Sequence, residues 1–177
     1  YIGTEGNGLN IFNRKTGQIR LLRLKEEKAN TASVISLGTV GKTLLMGTYQ
    51  RGFYSLDMTT GASKYHFLPY SPTDSRDMPV NCIKTDTKGN AWLGTNGKGV
   101  YLFDPITQSI KTFEKAFDLK PSQKIPLNGF ITTIEEDHQG NLWLGSNGTG
   151  IAVFNPSKKQ FLVLNSGNSK LPIDKVQ

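Results

Sequence analysis

Two histidines, one cysteine and a short acidic run are the residues of this chain whose types could carry chemistry. A phosphoacceptor histidine needs a helix with an acid beside it. His66 is followed by Phe67-Leu68-Pro69 in a strand-like pattern, and His138 falls in a turn, so neither reads as a phosphoacceptor. Glu135, Glu136 and Asp137 could serve as general acid and base. No second carboxylate cluster recurs nearby, and the run reads as a solvated rim. Asp86 and Asp137 each open a turn, and acidic turns attract hard cations. A calcium site needs about six to eight oxygens, and Lys88 stands where a ligand would help. Both aspartates therefore read as turn caps that bond their own backbone. Cys82 rules out an internal disulfide or a CxxC metal site in this stretch, and it reads as a small buried strand residue. No catalytic residue, metal or cofactor is expected.

Two further features admit a functional and a plain reading. Asn147-Gly148-Thr149 matches an N-glycosylation sequon but also fills a repeated hairpin turn. Trp92 and Trp143 could stack on sugar rings. They stand at equivalent positions of a repeat, which argues for core packing.

That repeat organises the chain. The segment from Asn90 through Trp92-Leu93-Gly94-Thr95-Asn96-Gly97-Lys98-Gly99 to Phe103-Asp104-Pro105 returns from Asn141 through Trp143-Leu144-Gly145-Ser146-Asn147-Gly148-Thr149-Gly150 to Phe154-Asn155-Pro156. Looser copies begin at Leu45-Met46-Gly47-Thr48 and at Tyr1-Ile2-Gly3-Thr4. The anchor glycines Gly3, Gly47, Gly94 and Gly145 are spaced by 44, 47 and 51 residues. Periods of about 40–50 residues with strand signals indicate propeller blades.

One repeat shows why. Val80–Thr85 is β-rich, Asp86–Asn90 is a turn, and Ala91–Thr95 is a second strand anchored by Trp92. Asn96–Gly99 is a hairpin turn, and Val100–Phe103 is an almost continuous apolar run, as a strand covered on both faces requires. Pro105 helps end that strand. Ser109–Phe113 alternates, as an exposed edge strand does. Gly38–Gly41 is the weak counterpart of the aspartate turns. The expected fold is all-β, a β-propeller fragment of about four four-stranded antiparallel blades, the first and last incomplete, with little helix. Residues 1–32 form a partial blade (strands 2–4). Residues 33–78, 79–128 and 129–170 form three blades, and 171–177 the first strand of a further one. The links Leu24–Thr31, Pro69–Pro79, Lys115–Gly129 and Asn165–Lys170 lie on the face of the second-to-third-strand turns, where binding usually resides.

The net charge is +7, from 21 basic and 14 acidic residues, but the basic residues are scattered without a run of five. A nucleic-acid partner is not expected. No stretch approaches about 20 apolar residues, so no helical membrane contact is expected within this piece.

The core Trp-Leu-Gly-[Thr/Ser]-x-Gly-x-Gly followed by Phe-[Asp/Asn]-Pro resembles the two-component regulator propeller repeat, twice strongly and twice loosely. The loose copies depart from it: Leu45 replaces Trp, and Gln50-Arg51-Gly52 replaces the small turn. The resemblance implies the periplasmic part of an inner-membrane sensor histidine kinase, often a hybrid with a response regulator and often homodimeric. It implies a non-catalytic module that detects oligosaccharides from polysaccharide breakdown, with the kinase elsewhere in the parent. Its partners would be an oligosaccharide or other small ligand, neighbouring blades and a second subunit. Planar polar groups and aromatic faces suit sugars, so the candidate ligand-binding residues are Tyr49, Gln50, Arg51, Tyr70, Arg76, Asn96, Lys98 and Asn147. Two rival readings are a propeller enzyme, glycan- or streptogramin-lyase-like, and a structural interaction scaffold. The Asp-x-x-Gly turn also resembles the Asp-box of sialidase-type propellers, but the spacing to Trp is one residue longer and an arginine cluster is absent.

Overall fold

The computed structural model describes residues 1–49, 52–69 and 78–177. The candidates Gln50, Arg51, Tyr70 and Arg76 lie outside the described residues. The chain divides into two compact units, Tyr1–Val80 and Asn81–Gln177.

The first unit holds two antiparallel sheets. One is three-stranded: β1 (Ile2–Gly3), β2 (Leu9–Phe12) and β3 (Ile19–Leu21). The other is four-stranded: β4 (Val34–Val40), β5 (Thr43–Thr48), β6 (Phe53–Asp57) and β7 (Ser63–His66). The second unit holds β8 (Val80–Thr85, its first residue counted with the first unit), β9 (Ala91–Thr95), β10 (Val100–Asp104) and β11 (Ser109–Thr112) in one sheet. Its other sheet is β12 (Ile131–Glu136), β13 (Leu142–Ser146), β14 (Ile151–Asn155) and β15 (Gln160–Leu164). Strands follow one another in chain order within every sheet, the plan of propeller blades. Each second strand lies between two neighbours, and every residue of β9 is buried, which accounts for its lack of alternation.

The anchor glycines have a steric cause. A Cβ on Gly3 would lie 2.6 Å from Val34 Cγ1, and one on Gly94 would lie 2.8 Å from Ile131 Cγ2. At Gly47 it would meet the Val80 carbonyl oxygen at 2.6 Å, and at Gly145 the Val176 Cγ1 at 2.9 Å. A β-branched residue of the following repeat rests on each glycine, where no larger residue fits. Polar side chains reinforce three of these joints. Ser36 Oγ donates to Val80 O at 2.7 Å, Asn81 Nδ2 to Ile131 O at 3.1 Å, and Thr132 Oγ1 to Val176 O at 2.6 Å.

Each unit has its own core. The first packs Leu9, Leu24, Ala29 and Val34 with Leu44, Met46, Tyr54 and Leu56. The second packs Trp92, Phe113, Ile131, Ile134, Leu142, Leu144 and Phe154. Here Trp92 stacks on Phe117 at 5.3 Å between ring centroids, and Phe117 lies 4.6 Å from Phe154. The link at 115–129 was expected as a loop over the binding face. Its Phe117, Leu119, Ile125 and Leu127 pack against this core, while at its end the Gly129 carbonyl accepts the N–H groups of Gly97 and Gly99 in the second-to-third-strand hairpin.

Several local expectations are corrected. Phe113 does not end an edge strand. It opens a one-turn helix, α1 (Phe113–Ala116), because the Thr112 hydroxyl accepts the Lys115 N–H and the phenyl ring is fully buried. Glu27–Thr31 forms a 3-10 helix. Gly38–Val40 belongs to β4, and the turn shrinks to Gly41-Lys42, since this repeat lacks an aspartate to organise a longer one. Trp92 is 3% exposed, as a core residue should be, but Trp143 is 38% exposed. In its sheet the row Trp143–Val153–Leu162 lies on the face opposite Leu144 and Phe154, away from the unit's core.

Candidate functional site

The two aspartate turns saturate their carboxylates with donors. Asp86 accepts from the backbone N–H groups of Lys88 and Asn90 at 3.0 and 2.8 Å, and from Trp92 Nε1 at 2.9 Å. Asp137 does the same with Gln139, Asn141 and Trp143 Nε1, the last at 2.8 Å. The Trp143 indole and then the Asn141 amide hold the Asp137 carboxyl down to about 2. Groups that point N–H donors at a carboxylate leave it no place for a cation, so turn capping is the chemistry here.

The acidic run lies at the surface, as a rim does, with Glu135 exposed, and its carboxylates have partners. Glu135 pairs with Lys84, and Glu136 accepts from the Thr87 N–H and hydroxyl at 2.7 and 3.0 Å. These carboxylates tie the sheet of β12 to the sheet of β8. His66 lies in β7, 5% exposed, with its ring stacked on Phe53 at 4.7 Å. Its Nε2 is 2.7 Å from Ser55 Oγ. Burial, and then the nearby Lys64 charge, lower its pKa to about 4. A serine hydrogen-bonded to a histidine is the start of a nucleophile–base pair, but both are buried beneath the sheet surface, where a substrate cannot reach. Cys82 is held back from reactivity too: burial pushes its thiol up to about 12.

The described candidates Tyr49, Asn96, Lys98 and Asn147 stand on the hairpins between the second and third strands. One hydroxyl residue builds every hairpin. Thr4, Thr48, Thr95 and Ser146 each direct the backbone N–H and the side-chain hydroxyl onto the carbonyl four residues on, at Gly8, Gly52, Gly99 and Gly150. The hydroxyl distances are 3.1, 3.0, 2.8 and 2.9 Å. Those glycines have φ of 59°, 62°, 75° and 80°, a left-handed backbone that side chains resist. The sequence carries this hydroxyl as the Thr/Ser after each anchor glycine.

The hairpins project the next residue outward. Tyr49 is 54% exposed, and its N–H donates to Ser33 O at 3.0 Å. Asn96, Lys98 and Asn147 are exposed in the second unit. Two of these are brought together by a residue the sequence reading passed over. Asn96 forms a β-bridge with Phe130, and the Asn147 N–H donates to Phe130 O at 3.0 Å. Phe130 is 41% exposed, and its ring lies 3.6 Å from where a Cβ on Gly97 would stand. Asn128 fixes the arrangement by accepting the Phe130 N–H at 3.1 Å and donating to Asn147 O at 2.9 Å. The result is an exposed ring flanked by the exposed residues Asn96 and Asn147. It offers stacking and amide hydrogen bonds but no nucleophile with an adjacent base.

Fold and repeat together define an all-β region of propeller blades. Residues 74–97 and 125–148 each match the model of the two component regulator propeller, and the chain carries that repeat. No curated protein matches the chain. Among solved structures it is similar to the extracellular domain of the hybrid two component system BT3049 from B. thetaiotaomicron, with a TM-score of 0.69 and 19% identity over 98% of this chain and 21% of that one. It is also similar to the extracellular domain of BT4673 from the same organism, described as a one component system, with a TM-score of 0.74 and 20% identity over 97% of this chain and 22% of that one. A computationally designed protein, Ika8, aligns with a TM-score of 0.60 and 14% identity over 90% of this chain and 43% of that one. The chain thus spans about a fifth of the two bacterial domains. At these identities the likeness concerns the fold.

Proposed function

We propose that this chain is a non-catalytic, ligand-sensing stretch of an extracytoplasmic propeller region. In this reading the parent is an inner-membrane sensor histidine kinase, a hybrid with a response regulator, working as a homodimer with this region in the periplasm. The ligand is an oligosaccharide released by polysaccharide breakdown. The observation that carries the reading is the two-component regulator propeller repeat, matched twice. The patch of Asn96, Phe130 and Asn147 adds the stacking surface and amide hydrogen bonds that suit a sugar. Such a ligand signals only by binding two arrangements of the parent with different affinity.

The test is thermal unfolding of the chain against soluble oligosaccharides from polysaccharide digests. A ligand that binds only the folded state raises stability by about 2.7 kcal/mol at a hundredfold excess over its Kd. The expected result is a saturable rise in Tm that Phe130→Ala and Asn147→Ala reduce. Cleavage of the oligosaccharide, read as new reducing ends, would replace the sensor reading with the propeller enzyme. The absence of any saturable rise would remove the oligosaccharide.

A further inference from the structure

The first unit contains a cleft of about 680 Å³ that reaches in to the core residue Tyr54. The segment Lys25, Glu26, Glu27 and Lys28 lines it together with Tyr65 and Phe67. The aromatic wall is graded. Tyr54, 2% exposed, is fixed in the core and meets Tyr65 at 5.0 Å between centroids. Tyr65 meets Phe67 edge-on at 4.5 Å, and Phe67 is 71% exposed. Tyr65 and Phe67 thus form one contiguous aromatic face lining the cleft.

The charged wall is also built. Leu24 and Ala29 are buried at the two ends of the segment. Asn30 closes it, accepting the Leu24 N–H on Oδ1 at 2.8 Å and donating Nδ2 to Leu24 O at 2.9 Å. The four charged residues between are exposed, and among the described residues none of their side chains is engaged in a hydrogen bond or ion pair. Two lysines and two glutamates give no net charge, so an ion of either sign meets a like charge beside every opposite one. They do supply donors on Lys25 and Lys28 and acceptors on Glu26 and Glu27, which hydroxyl groups satisfy in both directions. An aromatic face beside such a rim matches a sugar ring, apolar on its C–H face and hydroxylated at its edge.

We propose that this cleft binds a neutral oligosaccharide. The inference rests on the reading of the chain as an oligosaccharide sensor, and it adds a second contact site and the charge class of its ligand. The experiment is isothermal titration of the chain with xylohexaose and maltohexaose. A heparin-derived and a polygalacturonate-derived hexasaccharide serve as charged comparators. The variants are Phe67→Ala, the double variant Glu26→Gln with Glu27→Gln, and Phe130→Ala. The altered residues at 26, 27 and 67 are exposed, and unchanged melting in the absence of sugar confirms the fold. Binding of a neutral hexasaccharide, weakened roughly tenfold by Phe67→Ala and by the double variant, establishes the cleft. Weakening by Phe130→Ala alone overturns the cleft and leaves the sensor reading intact. Binding of the charged hexasaccharides only overturns the neutral class while sparing the sensor reading. Binding of no hexasaccharide overturns both.

Discussion

Placing alanine at Gly94 tests whether the repeat is held together at its glycines. The new Cβ would stand 2.4 Å from Cys82 Sγ and 2.8 Å from Ile131 Cγ2, both inside contact distance. Cys82 belongs to the same sheet and Ile131 to the next one, so the methyl group pushes both away. Overpacking of this kind costs about 1–3 kcal/mol. The stiffer unfolded chain returns about 0.4–1 kcal/mol. The net expectation is a loss of about 1–2 kcal/mol in the second unit. Both tryptophans, Trp92 and Trp143, lie in that unit, so their fluorescence during urea unfolding reports on it alone. Combining Gly94→Ala with Cys82→Ala removes the 2.4 Å contact but keeps the 2.8 Å one. The penalty of Gly94→Ala should then fall by about 1 kcal/mol without vanishing. Gly140→Ala is the comparator: it has φ of 78° and nothing closer than 3.9 Å, so it suffers only backbone strain. Its penalty, about 1–2 kcal/mol, should not respond to Cys82→Ala. The steric account is refuted if Gly94→Ala unfolds within about 0.5 kcal/mol of the parent, or if its penalty is the same in both backgrounds.

Other outcomes follow from the buried and capped groups. His66 has a folded pKa of about 4 against 6.5 unperturbed, so its neutral form supports the fold. The first unit should lose up to about 3 kcal/mol as pH falls from 6.5 towards 4, seen by tyrosine circular dichroism, whereas His66→Gln should flatten this window. Asp137 is depressed to about 2, so its contribution should persist down to about pH 4 and disappear as pH falls through 2. Asp137→Ala should destabilise the second unit at neutral pH and change the emission of Trp143, whose indole it holds. Cys82 should resist a thiol reagent at pH 8 in the native chain and react at once in denaturant. A fast native reaction would show that β8 opens readily.

The fold was legible because its constraints are local. The turn glycines, the Asp-to-Trp spacing and the apolar run of β10 fall within one repeat, where sequence spacing is spatial spacing. The aspartate turns were read as caps for the same reason. What escaped depends on partners far along the chain. Glu136 reaches Thr87 across 49 residues, so nothing near it in sequence announces that partner. Phe130 looks like the end of a link until the hairpins of Asn96 and Asn147 close on either side of it. Trp143 repeats Trp92 in sequence but not in exposure, because burial depends on what packs over the sheet and not on the residue's place in the motif. Gln50, Arg51, Tyr70 and Arg76 fall outside the described residues and stay candidates from sequence.

The joints at the anchor glycines separate two properties that a repeat protein usually alters together. From each glycine to the residue resting on it, the chain runs 31, 33, 37 and 31 residues. The contact is nevertheless the same kind: a small site, a β-branched cover, and at three of them a hydrogen bond to the carbonyl. Most of the length variation is therefore absorbed in the outer strands and links, with one residue of it in the turn between the first and second strands. Links can grow, acquire aromatics such as Phe117, or carry charged walls such as Lys25–Lys28 while the bearing surfaces stay unchanged. A lineage built this way can diversify what it recognises one segment at a time while each glycine contact is kept.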